Sequence, residues 1–348
     1  MVVEKLSATE VQFIEIPREV FSDDGVKDFD LFIQVAGRFV LYRSTNIAMD
    51  ENVQARLLTK GIDTLYVKKS QQAPLDKYLS QHLRDIVADE KVPEESKARI
   101  LYSVATSSLE SFFQDPAAEE DPFVDRIKDA TAIIVDQAIN HPRMLAHLAR
   151  IASHDFKTYT HSVNVCAYAV ALAHRLEALD RKQLNALALG AVFHDLGKTR
   201  IQDVVLNKPA ALSAEEWETI RRHPVWGVEM IREAGLVDEV ALGPVLEHHE
   251  RMNGDGYPFG VRGNDISLMG RITKVADVFD ALTSFRPYRL PLTPFQALST
   301  MRFKMAGHFD MPIFYEFVRL LGGVVTPRKV IRLGTEDALD LAQQDKDF

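Results

Sequence analysis

Cysteine is nearly missing from this chain. Its 348 residues hold one, Cys166, so no internal disulfide can form and nothing points to an oxidising compartment. Glycine and proline are sparse, at 17 and 15, which favours helices over a turn-rich β architecture. Long apolar runs are also missing. The longest, 163–173 with Asn164 inside it, falls well short of the roughly 20 residues that span a bilayer, so no membrane insertion is expected. The opening MVVEKLSATE mixes both charge signs and has no secretory apolar stretch, which makes the cytoplasm the expected location. An excess of positive charge is lacking too: 41 basic against 50 acidic residues leave a net charge of −9, which argues against non-specific duplex nucleic-acid binding.

Apolar residues make up 46% of the chain and charged residues 26%, enough to bury a substantial core, and the length predicts two or three domains. Charge is unevenly spread. Residues 1–122 carry 14 basic and 22 acidic side chains, net −8, whereas 257–332 carry 11 and 5, a local +6 suited to a small anionic substrate.

Three stretches follow. Residues 1–72 read as a small α+β module, with strands at 31–35, 39–42 and 64–67 and a helix over 50–60. In 73–150 apolar residues recur at helical spacing, as in Ile100, Leu101, Val104, Ala105, Leu109 and Phe112, which predicts connecting helices and a candidate homodimer surface. The acidic QDPAAEED at 114–121 reads as a loop. Residues 151–330 read as a helical bundle, with a capping box at Ser213 and Glu216, first-turn prolines at Pro224 and Pro294, and a stop at Gly235. An acidic tail, 331–348, closes the chain. The fold class is therefore mainly α, preceded by a small mixed module.

Five of the eleven histidines, His161, His194, His223, His248 and His249, fall in this bundle together with Asp195 and Asp277. A lone histidine on an apolar helix is most simply a core residue. Imidazoles and carboxylates in number suit borderline metals such as Fe, Mn or Zn, and two adjacent ions need a bridging carboxylate. His161, His194, Asp195 and Asp277 could hold one ion, and Asp195 with His223, His248 and His249 a second. His194 and Asp195 read as the end of an apolar helix that Gly197 stops. Neighbours in a regular helix point about 100° apart, so His248 and His249 belong at a helix end, where the following glycines and proline let the backbone adjust.

Six ordered motifs stand here: HSVNV from His161, HDLGK from His194, HP at His223, HHERMNGDGYP from His248, KVADVFDALTS from Lys274 and RPYR from Arg286. With them the stretch from His154 to Pro312 resembles an HD-GYP domain, the branch of the HD phosphohydrolase superfamily that hydrolyses the bacterial second messenger cyclic di-GMP. The resemblance implies an HD-type bundle in which the seven residues just named hold a metal cluster beside the triplet Gly256, Tyr257 and Pro258. Family members with three metals carry a glutamate four residues before the first histidine. Lys157 stands there in this chain, so two ions, Fe or Mn with Zn as a further option, are expected.

The implied reaction is attack on one phosphodiester by a hydroxide bridging the ions, giving the linear dinucleotide and in some members GMP. Asp195 and Lys198 are the expected catalytic residues, and Lys198, Tyr257 and Arg286 the expected substrate contacts, with Arg286 suited to a bidentate phosphate contact. Lys274 and Asp280, three residues either side of Asp277, are candidates for orienting ligands. Cys166, Met301, Met305, Phe309, Phe314 and Phe317 read as core, and His154, His174 and His308 as outside the site. Regulation by the amino-terminal part is expected by analogy. Two alternatives stand beside this reading: a cyclic dinucleotide receptor without turnover, and a phosphodiesterase for another cyclic dinucleotide.

Overall fold

The computed structural model describes residues 12–21, 28–45, 47, 51–114, 122–141, 158–206, 208, 210–233, 235, 239–284 and 290–322. Lys157, His154, Arg286 and the tail 331–348 lie outside them, as does the acidic loop from 115 onward. The chain divides into two compact units between Ser107 and Ser108, inside one continuous helix.

The first unit is built on four antiparallel strands, β1 (Phe13–Pro17), β2 (Leu31–Val35), β3 (Arg38–Arg43) and β4 (Thr64–Lys68), in the order β1-β4-β2-β3. Strands β2 and β3 are joined by the two-residue turn Ala36–Gly37, with φ of 49° and 76°, the left-handed pair that matches the twist of a tight hairpin. One face buries Ile16, Leu65 and Val67, and Leu57 of helix α1 (Glu51–Thr59) and Leu75 and Leu79 of α2 (Gln72–Gln81) are buried in the same unit. Strand β1 escaped the sequence reading, since FIEIP is short and ends in a proline. Pro17 is tolerated because β1 is an edge strand. The helices α3 (Leu83–Ala88) and the first part of α4 (Glu94–Gln114) complete the unit.

The second unit is helical among its described residues. It comprises α5 (Pro122–Asn140), α6 (Thr158–Leu176), α7 (Arg181–Val192), a 3-10 turn (Leu196–Arg200), α8 (Asp203–Leu206), α9 (Ala214–Ile220), α10 (His223–Glu233), α11 (Leu242–Glu247), α12 (Leu268–Thr283), α13 (Pro294–Phe303) and α14 (Met311–Gly322). Helices α6 and α12 are buried nearly all round and lie in the middle of the bundle. Tyr168, Phe279 and Phe317 lock α6, α12 and α14 together through edge-on rings 5.0 to 5.8 Å apart. Cys166, Met301, Met305, Phe309, Phe314 and Phe317 are buried core, as expected. The capping box of Ser213 and Glu216 is present, Thr293 caps α13 ahead of Pro294, and Gly235 turns left-handed at φ 59° beyond α10.

Four polar side chains of α6 and α12 face each other where the two helices pack. His161 and Asn164 on α6 meet Asp277 and Asp280 on α12, which fixes one wall of a polar centre inside the apolar bundle.

Candidate metal centre

His194 and Asp195 do not end a long helix. Helix α7 stops at Val192, and the chain turns through Phe193, His194 and Asp195 into the 3-10 segment that contains Gly197. Gly197 is not a left-handed stop. A Cβ there would lie 2.0 Å from the His223 carbonyl oxygen and 2.6 Å from the Gly227 nitrogen, so glycine is required by the close approach of α10. That approach carries His223, the first residue of α10, against Asp195. His248 and His249 directly follow α11, where the expected departure from helical geometry occurs.

Five imidazoles and two carboxylates converge. Asp195 presents a different oxygen to each side. Oδ1 lies 3.5 Å from His223 Nε2 and 3.7 Å from His248 Nε2, while Oδ2 lies 3.5 Å from His194 Nε2, 3.9 Å from His161 Nε2 and 2.7 Å from Lys198 Nζ. The ligating atoms of Asp195, His223, His248 and His249 all lie within 4.8 Å of one another, and so do those of His161, His194 and Asp195. Asp277 Oδ1 stands 3.1 Å from His161 Nε2 and 4.0 Å from His194 Nε2, on the second side. All seven expected ligands are therefore brought together.

Their ring nitrogens are set by the backbone. His194 Nδ1 faces the Ala191 carbonyl at 2.7 Å, His223 Nδ1 the Ile220 carbonyl at 2.8 Å, and His248 Nδ1 the carbonyls of Pro244 and Val245 at 3.0 and 2.9 Å. A carbonyl only accepts, so each Nδ1 donates and each Nε2 of a neutral ring turns a lone pair inward. His161 is held instead by Asp280, whose Oδ2 lies 2.7 Å from Nδ1 and whose Oδ1 accepts from Asn164. Asp280 thus has the orienting position considered for it. Lys274 is buried and donates to the His248 carbonyl at 3.3 Å.

Burial and charge act in opposite senses here. Burial drives His194 down to about 4, with Asp195 opposing, and holds His223 and His249 well below 6.5. Burial would lower His161 also, but its bonds to Asp277 and Asp280 outweigh this and raise it to about 9. Asp195 would be raised by burial, yet Lys198 and the surrounding histidines keep it well below the usual carboxylate range. His194, His223 and His249, neutral beside the ionised Asp195, offer lone pairs where protons are absent.

The donors fit divalent metal ions. His194 Nε2 and Asp195 Oδ1 are buried without a hydrogen-bond partner among the described residues, and both point into the cluster. Buried acceptors left unpaired are costly unless a cation satisfies them. The nitrogen-rich, mixed N and O set is compatible with divalent metal ions.

The GYP loop lies alongside. Tyr257 stacks on His249, with centroids 4.5 Å apart and planes 18° from parallel, and the Arg221 guanidinium stands 5.9 Å from the same ring. Burial together with Asp195 and Asp277 pushes the Tyr257 hydroxyl well above its ordinary pKa. Gly256 leaves no room for a side chain, since a Cβ would lie 2.5 Å from Glu250 Cα and from the Arg251 nitrogen. Lys198, about a quarter exposed, stands between Asp195 and solvent. Glu247 and Glu250, which flank the histidine pair, and Asn164 were not singled out from the sequence. The HHE run held the signal for Glu250.

Residues 143–313 match the family model described as HD domain. The cyclic di-GMP phosphodiesterase PA4108 of Pseudomonas aeruginosa is 37% identical over 225 residues, which cover 65% of this chain and 54% of that protein. The 3′3′-cGAMP-specific phosphodiesterase 2 of Vibrio cholerae is 34% identical over 51% of this chain and 34% of that protein. The chain therefore spans about half the length of these curated relatives, or less. Among solved structures, Bd1817, a HDG"Y"P protein from Bdellovibrio bacteriovorus, superposes with a TM-score of 0.63 at 22% identity, covering 90% of this chain and all of the other, which shows a shared fold.

Proposed function

From the match of residues 143–313 to the HD domain model, we propose that this protein is a metal-dependent phosphodiesterase that opens cyclic di-GMP to the linear dinucleotide, under regulation by its amino-terminal unit. The observation that carries the reading is Asp195, whose two oxygens serve two separate imidazole groups, as a carboxylate bridging two ions must. His161, His194 and Asp277 would complete one site with it, and His223, His248 and His249 the other. Fe or Mn is the expected pair. When bound, the two ions polarise the phosphoryl group and lower the pKa of water to supply the nucleophile.

The remaining tasks fall to this chain's own groups. The Lys198 ammonium, 2.7 Å from Asp195, is positioned to neutralise a non-bridging phosphate oxygen beside the bridging carboxylate. One face of the Tyr257 ring is covered by His249, so its hydroxyl, kept protonated, is the group left to offer the substrate as a donor. Arg286, outside the described residues, is the candidate for a second, bidentate phosphate contact.

Anaerobic reconstitution with Fe(II) or Mn(II), followed by chromatography of cyclic di-GMP products, tests the proposal, with Asp195→Ala as the inactive control. Binding without turnover in both metals would make the protein a receptor instead. A second substrate has one observation in its favour, the relatives in Vibrio cholerae named for 3′3′-cGAMP. Metals and cations grip phosphates and not bases, so equal amounts of the two cyclic dinucleotides in one reaction decide between them.

A further inference from the structure

His248 and His249 have no helix to hold them, yet they supply two inward-facing rings. Helix α11 ends at Glu247, and the chain leaves it through the pair. Two carboxylates bracket the pair, and neither turns toward the imidazoles. Glu247 Oε2 accepts from the Ser267 backbone nitrogen at 2.9 Å and from the Ser267 hydroxyl. Ser267 is the N-cap of α12, its Oγ accepting from the Gly270 nitrogen at 3.1 Å. The carboxylate therefore sits at the positive end of the helix that carries Lys274, Asp277 and Asp280.

Space for this contact is built into the neighbours. A Cβ on Gly270 would lie 2.6 Å from Glu247 Oε2, and one on Gly243 would lie 2.7 Å from Ser267 Oγ.

Glu250 works in the other direction. It is fully buried, and its Oε1 accepts from the backbone nitrogens of Phe259 at 2.8 Å and Gly260 at 3.1 Å, directly after Tyr257 and Pro258. Its Oε2 has no hydrogen-bond partner among the described residues. A buried carboxylate is expensive, and this one is kept where it ties the GYP loop against the histidine pair. Tyr257, stacked on His249, is carried by that loop.

We propose that Glu247 and Glu250 are positioning residues, two struts that fix the His248–His249 corner between the start of α12 and the GYP loop and so preset the spacing of the metal ligands. The inference rests on the metal-centre reading above but not on any substrate. Loss of Glu247 removes its tie to the start of the helix bearing Asp277, leaving the Lys274 bond to the His248 carbonyl. Loss of Glu250 removes its two bonds to the loop bearing Tyr257, leaving the ring stack on His249. Partners that orient a ligand typically change metal affinity 10- to 100-fold, without themselves touching the ion.

The test is Mn(II) titration of the full chain, followed by electron paramagnetic resonance, with unfolding temperature and amide exchange measured on the same samples. Glu247→Ala and Glu250→Ala are expected to bind Mn(II) about tenfold more weakly or worse. In Glu250→Ala the Phe259 and Gly260 amides lose protection. Glu247→Gln and Glu250→Gln are expected to return to within about threefold of the parent, because an amide oxygen still accepts the same donors. Should an alanine variant fail to fold, Glu247→Asp and Glu250→Asp, one methylene shorter, give the same comparison. Parental Mn(II) affinity in the folded alanine or aspartate variants would overturn the proposal, as would glutamine variants no better than alanine. Absence of cyclic dinucleotide turnover in the parent would defeat the proposed reaction while leaving the Mn(II) comparison intact.

Discussion

His223 Nε2 and His248 Nε2 lie 3.2 Å apart with each ring's Nδ1 already donating to a backbone carbonyl. When both rings are neutral, this arrangement turns lone pairs at each other across a buried gap, a repulsive contact that a shared cation converts into attraction. Metal ions should therefore stabilise the fold. At a hundredfold excess over Kd, mass action adds about 2.7 kcal/mol for one site. Thermal unfolding of chelator-treated protein, before and after adding Fe(II), Mn(II) or Zn(II), measures it, and His223→Ala should shrink the gain. An unfolding temperature indifferent to all three metals contradicts the metal-centre reading.

Lys198 is expected to separate chemistry from metal binding. Its ammonium bonds Asp195 Oδ2 but retains about a quarter of its side-chain exposure, so it can reach a substrate. Lys198→Ala should lower kcat about 10²-fold, the scale of losing one preorganised charge partner at a reacting phosphate. Metal content measured by elemental analysis should stay that of the parent. If the variant instead loses its metals with its activity, Lys198 serves the carboxylate and not the phosphate.

Much of this site could be read along the chain because its ligands come in short, ordered motifs, and side-chain chemistry alone suggested the division of labour around Asp195. Close approaches were not legible. Gly197 reads as a helix stop in one dimension, whereas in space it is a gap filled by the His223 carbonyl. Glu247 and Glu250 look like ordinary charges beside two histidines, because their partners Ser267, Phe259 and Gly260 are known only after the chain turns. In the first unit the hairpin of β2 and β3 was visible through its apolar strands and Gly37. The edge strand β1 was hidden by its length and by Pro17.

The Gly197 contact makes its own prediction. Gly197→Ala places a methyl group against backbone atoms of His223 and Gly227, which no rotamer change can relieve. The cost should be about 3 kcal/mol, at the upper end of overpacking penalties. Urea unfolding of the metal-free protein checks this without interference from ligand stabilisation. A change within about 0.5 kcal/mol would mean that the 3-10 turn and α10 can part without loss.

The metal-free protein should have a distinctive pH profile. Burial, the largest influence on each, lowers His194 and His308 to about 4 and holds His223 and His249 well below 6.5, so these four gain protons on unfolding between pH 6.5 and 4. Stability contributed by keeping them neutral is complete above pH 6.5 and is lost as pH falls. His161 runs the opposite way. Burial opposes its charge, but Asp277 and Asp280 raise it to about 9, so its contribution is complete below pH 6.5 and drains away as pH rises through 9. Together these place maximum stability of the metal-free form near pH 6.5, with the steeper fall on the acid side, where four groups act together, while Lys274, lowered by burial to about 8, offsets part of the alkaline fall above pH 8. Unfolding temperatures from pH 4 to 9 in chelator test this. Asp280→Asn should flatten the alkaline limb selectively, and an acid limb that stays level down to pH 4 would rule out a cluster of neutral buried imidazoles.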